Sequence, residues 1–215
     1  MSDGKGGQVA QTTVHERQAT AAGCELPLVV RFRPAIELSE DQFFALCQIN
    51  GELRIERNAQ GELLIMPPAG SETGERNMKV AVRVGSWAER DGTGVAFDSS
   101  AGFTLPNGAV RAPDAAWIVR ERWAQIPPKQ REKFAPICPD FVLELRSPSD
   151  TLRTVQGKMA EYLANGARLG WLLDPPTRRV YVYRPGAPIE RLDDPETVSG
   201  DPVLPGFILN VREVW

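Results

Sequence analysis

Apolar positions along the chain fall into short blocks that switch between helical and strand spacing. Phe43, Phe44, Leu46, Cys47 and Ile49 follow Ser39, with Gln42 three residues after it. That arrangement is a capping box ahead of an amphipathic run, and it predicts a short helix ending near Gly51. LRIER and ELLIMP are two apolar runs separated by Asn58, Ala59, Gln60 and Gly61, which reads as a hairpin; Pro67 and Pro68 then break the sheet. From Ser71 to about Arg90 the spacing of Val80, Val84, Trp87 and Ala88 predicts a helix stopped by Gly92 and Gly94. VAFDSSAGFTL and the stretch from Val110 to Val119 flank Pro106-Asn107-Gly108, whose Asn-Gly pair predicts a second hairpin.

The later half continues the alternation. FVLELRS, residues 141–147, reads as a strand, and Leu152, Val155, Met159, Tyr162 and Leu163 mark a helix ended by Gly166. RLGWLLDP and RVYVYRP form a strand pair around a turn at Pro175 to Arg178, and LPGFILNVREVW supplies a last strand. The fold class expected is α+β, with a mostly antiparallel, mixed sheet flanked by helices. Residues 1–22 are small and polar and read as a flexible tail, leaving residues 23–215 as a single domain.

Composition narrows the function classes. The 25 Lys and Arg against 28 Asp and Glu give a net charge of −3, which forces no nucleic-acid partner but leaves room for a local basic strip. Such a strip is available between Arg120 and Lys133, where five basic residues face Glu121 and Glu132; it is either a solvated connector or a phosphate-facing surface. Cys24, Cys47 and Cys138 are far apart and His15 is the one histidine, a set that argues against structural zinc and suits a reducing, cytoplasmic compartment. No apolar run reaches the roughly 18 residues needed to span a bilayer, so a membrane partner is not expected. Gly102, Gly166 and Gly170 form no phosphate-cradling loop, which excludes P-loop and dinucleotide-binding readings, and the scattered tryptophans form no base-stacking platform.

The candidate chemistry lies where charge interrupts apolar strands. Asp114 stands before AAWIV and Glu144 sits inside FVLEL, and a carboxylate so placed needs a partner, a hydrogen-bond set or a metal. Strand alternation puts Glu144 and Arg146 on one face. On the following helix Lys158 lies about 40° from Tyr162 and about 60° from Val155, at the border of the apolar stripe, where its long stem can carry the ammonium to Glu144. Two carboxylates suffice for Mg²⁺, which keeps water and phosphate oxygens as its other ligands, so the set suits phosphodiester hydrolysis with Lys158 positioning the water and neutralising charge. A buried ion pair that sets strand and helix register accounts for the same residues equally well from spacing alone. Asp140 and Asp174 read as strand-end caps or turn formers, and Ser147, Ser149 and Asp150 as caps of the helix carrying Lys158.

PDAAWIV followed by PDFVLELRSPSD, then KMAEY and GWLLDP, resembles the Uma-two family of restriction-endonuclease-like proteins, within the PD-(D/E)XK nuclease superfamily. The resemblance runs from about Pro34 to Trp215 and takes in RIERNAQGELLIMPPAGSETGERN, FDSSAGF and the LPGF ending. It implies a nuclease fold, DNA as substrate, a homodimer, and Mg²⁺ or Mn²⁺ held by Asp114 and Glu144. The superfamily's usual lysine two positions after the glutamate is Arg146 here, so the resemblance assigns phosphate or ligand orientation to Arg146 and the catalytic lysine role to Lys158. Glu75 resembles in position the acidic residue that many superfamily members carry on their first helix, where it helps hold a metal; stabilising the helix dipole is its simpler role. A noncatalytic dimeric binding or regulatory module on the same fold is the competing reading, and the Arg146 departure supports it.

Overall fold

A computed structural model describes residues 27–215, so the tail expected over 1–22, His15 and Cys24 lie outside the described residues. The first segment runs β1 (Leu28–Val30), α1 (Glu40–Ile49), β2 (Arg54–Arg57), β3 (Leu63–Met66) and α2 (Ser71–Asp91). The capping box predicted for α1 is present in both directions: Gln42 N–H donates to Ser39 Oγ at 3.2 Å and Ser39 N–H to Gln42 Oε1 at 2.9 Å. Gly92 ends α2 with a positive φ of 72°, the left-handed cap that costs least at glycine.

β4 (Gly94–Asp98), β5 (Phe103–Thr104), β6 (Val110–Arg111) and β7 (Ala115–Val119) follow. The predicted second hairpin is correct only at its tip. VAFDSSAGFTL is not one strand, because Asp98 turns the chain by accepting the Ser100 N–H at 3.0 Å, so β4 and β5 enter different sheets. Asn107-Gly108 joins β5 to β6 alone, while β4 pairs antiparallel with β7 from Gly94↔Val119 to Asp98↔Ala115. Two short helices, α3 (Arg120–Ala124) and α4 (Pro128–Arg131), occupy the basic segment. Its guanidinium groups are used internally: Arg120 donates to the Gly92 and Gly94 carbonyls, Arg122 to Cys138, and Arg131 to Ile126 and Ala124. The segment is therefore a braced connector.

The last third comprises β8 (Phe141–Leu145), α5 (Leu152–Ala164), β9 (Leu169–Asp174), β10 (Arg179–Tyr183), β11 (Glu190–Asp193), β12 (Thr197–Ser199) and β13 (Ile208–Asn210). β11 and β12 are short and largely exposed, with no apolar run to announce them. Of LPGFILNVREVW only β13 is strand, and it pairs with β12 as a separate two-stranded unit. Thr151, rather than the preceding serines, caps α5 by accepting the Thr154 N–H at 3.1 Å.

A five-stranded antiparallel sheet has the order β1-β3-β2-β6-β5, and a six-stranded sheet the order β11-β10-β9-β8-β7-β4. Among the described strands only β8 and β9 pair in parallel, joined by α5 as a crossover helix. Both faces of the larger sheet are covered. Phe141, Leu143, Leu145, Trp117 and Trp171 pack with Val80, Val84 and Trp87 of α2, while Ala116, Ile118, Val142 and Leu172 pack with Val155, Met159 and Tyr162 of α5. The bare backbone at Gly170 makes room for the Met159 methyl, since a Cβ there would lie 2.5 Å from Met159 Cε. Strand alternation puts Glu144 on the α5 face, in a row that is otherwise apolar.

Candidate active site

The two sheets and the ends of α2 and α5 enclose an open cavity of about 770 Å³, lined among others by Arg54, Glu56, Asn77, Arg111, Asp114, Glu144 and Lys158. Each element contributes for a reason visible in its pattern. β2 alternates, sending Arg54 and Glu56 to the same side. Asp114 immediately precedes β7, and antiparallel pairing of β7 with β8 brings it to the far end of β8, where its Oδ2 accepts the Leu145 N–H at 2.8 Å. Asn77 of α2 donates to Asp114 Oδ1 at 3.3 Å, and Arg54 Nη2 stands 3.6 Å from the same oxygen.

Lys158 links two carboxylates. Its Nζ lies 2.8 Å from Glu144 Oε1 and 2.8 Å from Glu56 Oε1. Glu144 Oε1 also accepts the Tyr162 hydroxyl at 3.0 Å; Oε2 takes no hydrogen bond among the described residues. Glu56 is tied more tightly, by the Ala112 N–H at 3.1 Å and by Arg111 at 3.1 Å, whose other side meets Glu161 at 2.6 Å.

These surroundings drive the two glutamates in opposite directions. Burial pushes the Glu144 carboxyl up to about 7; Lys158 pulls against this, while the Asp114 and Glu56 charges add to it. Burial also disfavours the Glu56 carboxylate, but Lys158 and then Arg111 outweigh it and hold the group at about 2. Burial disfavours the Lys158 ammonium, yet Glu144 and Glu56 raise its pKa above the usual lysine value, so it is a cation and not a free amine at neutral pH.

Asp114, Glu144 and Lys158 thus meet at one cavity, while the other two candidates do not. Arg146 lies one residue beyond β8, and its guanidinium is occupied by Asp174 Oδ1 at 2.7 Å and the Asp150 carbonyl at 3.1 Å, away from the cavity lining. Glu75 faces solvent on α2 and pairs with Lys79 at 2.8 Å. It is two residues from Asn77, about 200° around the helix, so the face that meets Asp114 turns Glu75 away. The residues missed in the sequence are Glu56, Arg54 and Arg111. The signal that could have found Glu56 is weaker than that of Glu144: an acid in a predicted strand, RIER, but with an arginine on either side.

Among the described residues no three His, Cys, Asp or Glu side chains form a metal-holding group. The donor set still fits a hard divalent ion of the Mg²⁺ type, which needs only one or two protein carboxylates. Glu144 Oε2 is uncommitted, Asp114 Oδ1 has only one long hydrogen bond, and six carboxylates line the cavity against three cations.

The α+β fold, a mixed sheet flanked by helices, is the one the sequence predicts. A model of the Uma2 family, described as "Putative restriction endonuclease", matches residues 40–212, and the chain belongs to that family. Among solved structures it is similar to a "putative nuclease belonging to DUF820" from Anabaena variabilis ATCC 29413, with a TM-score of 0.67 and 22% identity over 83% of this chain and 97% of that one. No curated protein matches the chain.

Proposed function

We propose that the chain is a divalent-metal-dependent endonuclease that hydrolyses DNA phosphodiester bonds. The observation that carries this reading is the convergence of Asp114, Glu144 and Lys158 on a cavity open to solvent. A buried ion pair that only sets register has no need of a 770 Å³ opening beside it. With twice as many carboxylates as cations, the cavity repels a phosphodiester until a cation enters, and Mg²⁺ or Mn²⁺ supplies the missing charge.

Asp114 and Glu144 would hold that ion, Asp114 already being oriented through its bond from the Leu145 N–H. When bound, such an ion lowers the pKa of a water and offsets charge on the phosphate. Lys158, kept charged and aimed by Glu56 and Glu144, orients the attacking water and stabilises charge that develops as the phosphorus–oxygen bond forms and the ester bond breaks. Arg146 and Glu75 have no part in this scheme, because their charged heads are engaged elsewhere.

The homodimer and the cytoplasmic location belong to the same proposal; no described helix is long and apolar enough to cross a membrane. Incubating the purified chain with circular and linear DNA, with Mg²⁺ or Mn²⁺ and then with chelator, tests the activity. Cleavage that requires metal and disappears in Asp114→Ala and Glu144→Ala supports it. DNA binding that is indifferent to chelator and to both substitutions, without cleavage, supports the noncatalytic module instead.

A further inference from the structure

Three cations line the cavity, and their commitments differ. Arg111 is shared between Glu56 and Glu161 and is only 10% exposed. Lys158 is held by Glu56 and Glu144. Arg54 is held by less. Its Nη2 donates to the Ala112 carbonyl at 2.8 Å and stands 3.6 Å from Asp114 Oδ1, its Nε is buried without a hydrogen-bond partner among the described residues, and a third of its side chain is open.

Resting on the nuclease reading, we infer that Arg54 is the residue that binds the substrate phosphate, the role that the resemblance gives to Arg146. A guanidinium presents a planar fork of donors that matches two phosphate oxygens, and the open third of this side chain leaves part of that fork accessible from the cavity. The position of Arg54 suits the task. Standing beside Asp114, it faces the same opening as the carboxylate that would hold the cation, so a phosphate drawn there meets the guanidinium. Strand alternation explains why it is available: Arg54 and Glu56 share one side of β2, and Glu56 takes Arg111 and Lys158 as its partners, leaving Arg54 only the longer 3.6 Å approach to Asp114. Arg146 cannot substitute, since Asp174 occupies its Nε at 2.7 Å.

The test separates phosphate binding from metal binding. Mn²⁺ affinity is measured by calorimetry, and the affinity for a short fluorescein-labelled single-stranded DNA by anisotropy in Ca²⁺, for the wild type, Arg54→Met and Arg54→Lys. Arg54→Met should lose about tenfold or more in DNA affinity while keeping or tightening Mn²⁺ binding, because a competing positive charge has left Asp114. Arg54→Lys should recover part of the DNA affinity, since it restores the charge without the fork. DNA affinity of Arg54→Met within about twofold of the wild type overturns the assignment. Parallel loss of Mn²⁺ and DNA binding with a lowered Tm in both variants also overturns it, by showing a packing role. A wild-type chain that binds Mn²⁺ but no DNA sinks the nuclease reading itself, and that result needs no variant.

Discussion

Two Pro-Asp steps, at Asp114 and Asp140, occupy equivalent places at the starts of adjacent strands and end in opposite circumstances. Because β7 and β8 run antiparallel, each aspartate reaches the end of the neighbouring strand: Asp114 accepts the Leu145 N–H at 2.8 Å, and Asp140 accepts the Val119 N–H at 2.9 Å. At the Asp140 end the carboxylate is sealed in, with Arg122 at 2.8 Å and Arg168 at 3.9 Å, and it does not line the 770 Å³ cavity. At the Asp114 end the cavity opens, and Glu144, Glu56 and Lys158 arrive from three other elements. The same dipeptide therefore serves as a strand clamp at one end of the sheet and as part of the proposed site at the other. The difference lies in what the rest of the chain delivers, not in the motif.

The largest effects should divide along that line. Asp114→Asn and Glu144→Gln, which keep an acceptor for the Leu145 N–H and the Tyr162 hydroxyl, should each reduce metal-dependent cleavage by roughly a hundredfold or more, with most of the stability retained. Asp140→Ala should do the reverse: it leaves the Val119 N–H and the Arg122 charge without their buried acceptor and should cost about 2–4 kcal/mol of stability, with Mn²⁺ affinity unchanged. Denaturant melts alongside cleavage assays check both halves. Next in size is Glu56→Gln, which leaves Arg111 and Lys158 with one carboxylate fewer. It should lower Tm and reduce kcat more than it raises KM, because Lys158 loses one of the two groups that aim it.

A pH titration of the metal-free protein sharpens the contrast between the two glutamates. Glu144 has a folded pKa raised to about 7, so its contribution is fully present below its unfolded value and is lost as pH rises towards 7. Glu56 has a folded pKa lowered to about 2, so its contribution is present above its unfolded value and is lost as pH falls from there towards 2. Glu144→Gln should therefore flatten the decline in stability between about pH 4.5 and 7, a change on the order of 3 kcal/mol across that window. The smallest effect is expected at Glu75→Gln, where an exposed i,i+4 pair is lost and neither Tm nor activity should change measurably.

Much of the fold was legible from local pattern. The Ser39–Gln42 box, the α2 stripe and the Lys158 phase on α5 all appear as expected, because each depends on neighbours in the chain. The split of β4 from β5 was not legible, since it depends on which sheet each segment joins, and neither were β11 and β12, which carry little apolar signal. In the site, Asp114 and Glu144 stood out as acids against apolar strands. Glu56 sits in RIER, where the arginines on either side left it without the apolar background that made Glu144 stand out. Arg146 looked available because alternation fixes only its face; its capture by Asp174 comes from the parallel pairing of β8 with β9.

Calorimetric titration of Mn²⁺ into the wild type, Asp114→Asn and Glu144→Gln at pH 8 tests the central claim most directly. One saturable site in the wild type, weakened by each substitution and accompanied by proton release when the titration is repeated near pH 6, is the expected result. Metal binding that is absent from the wild type, or equally strong in both variants, would contradict a metal centre at Asp114 and Glu144.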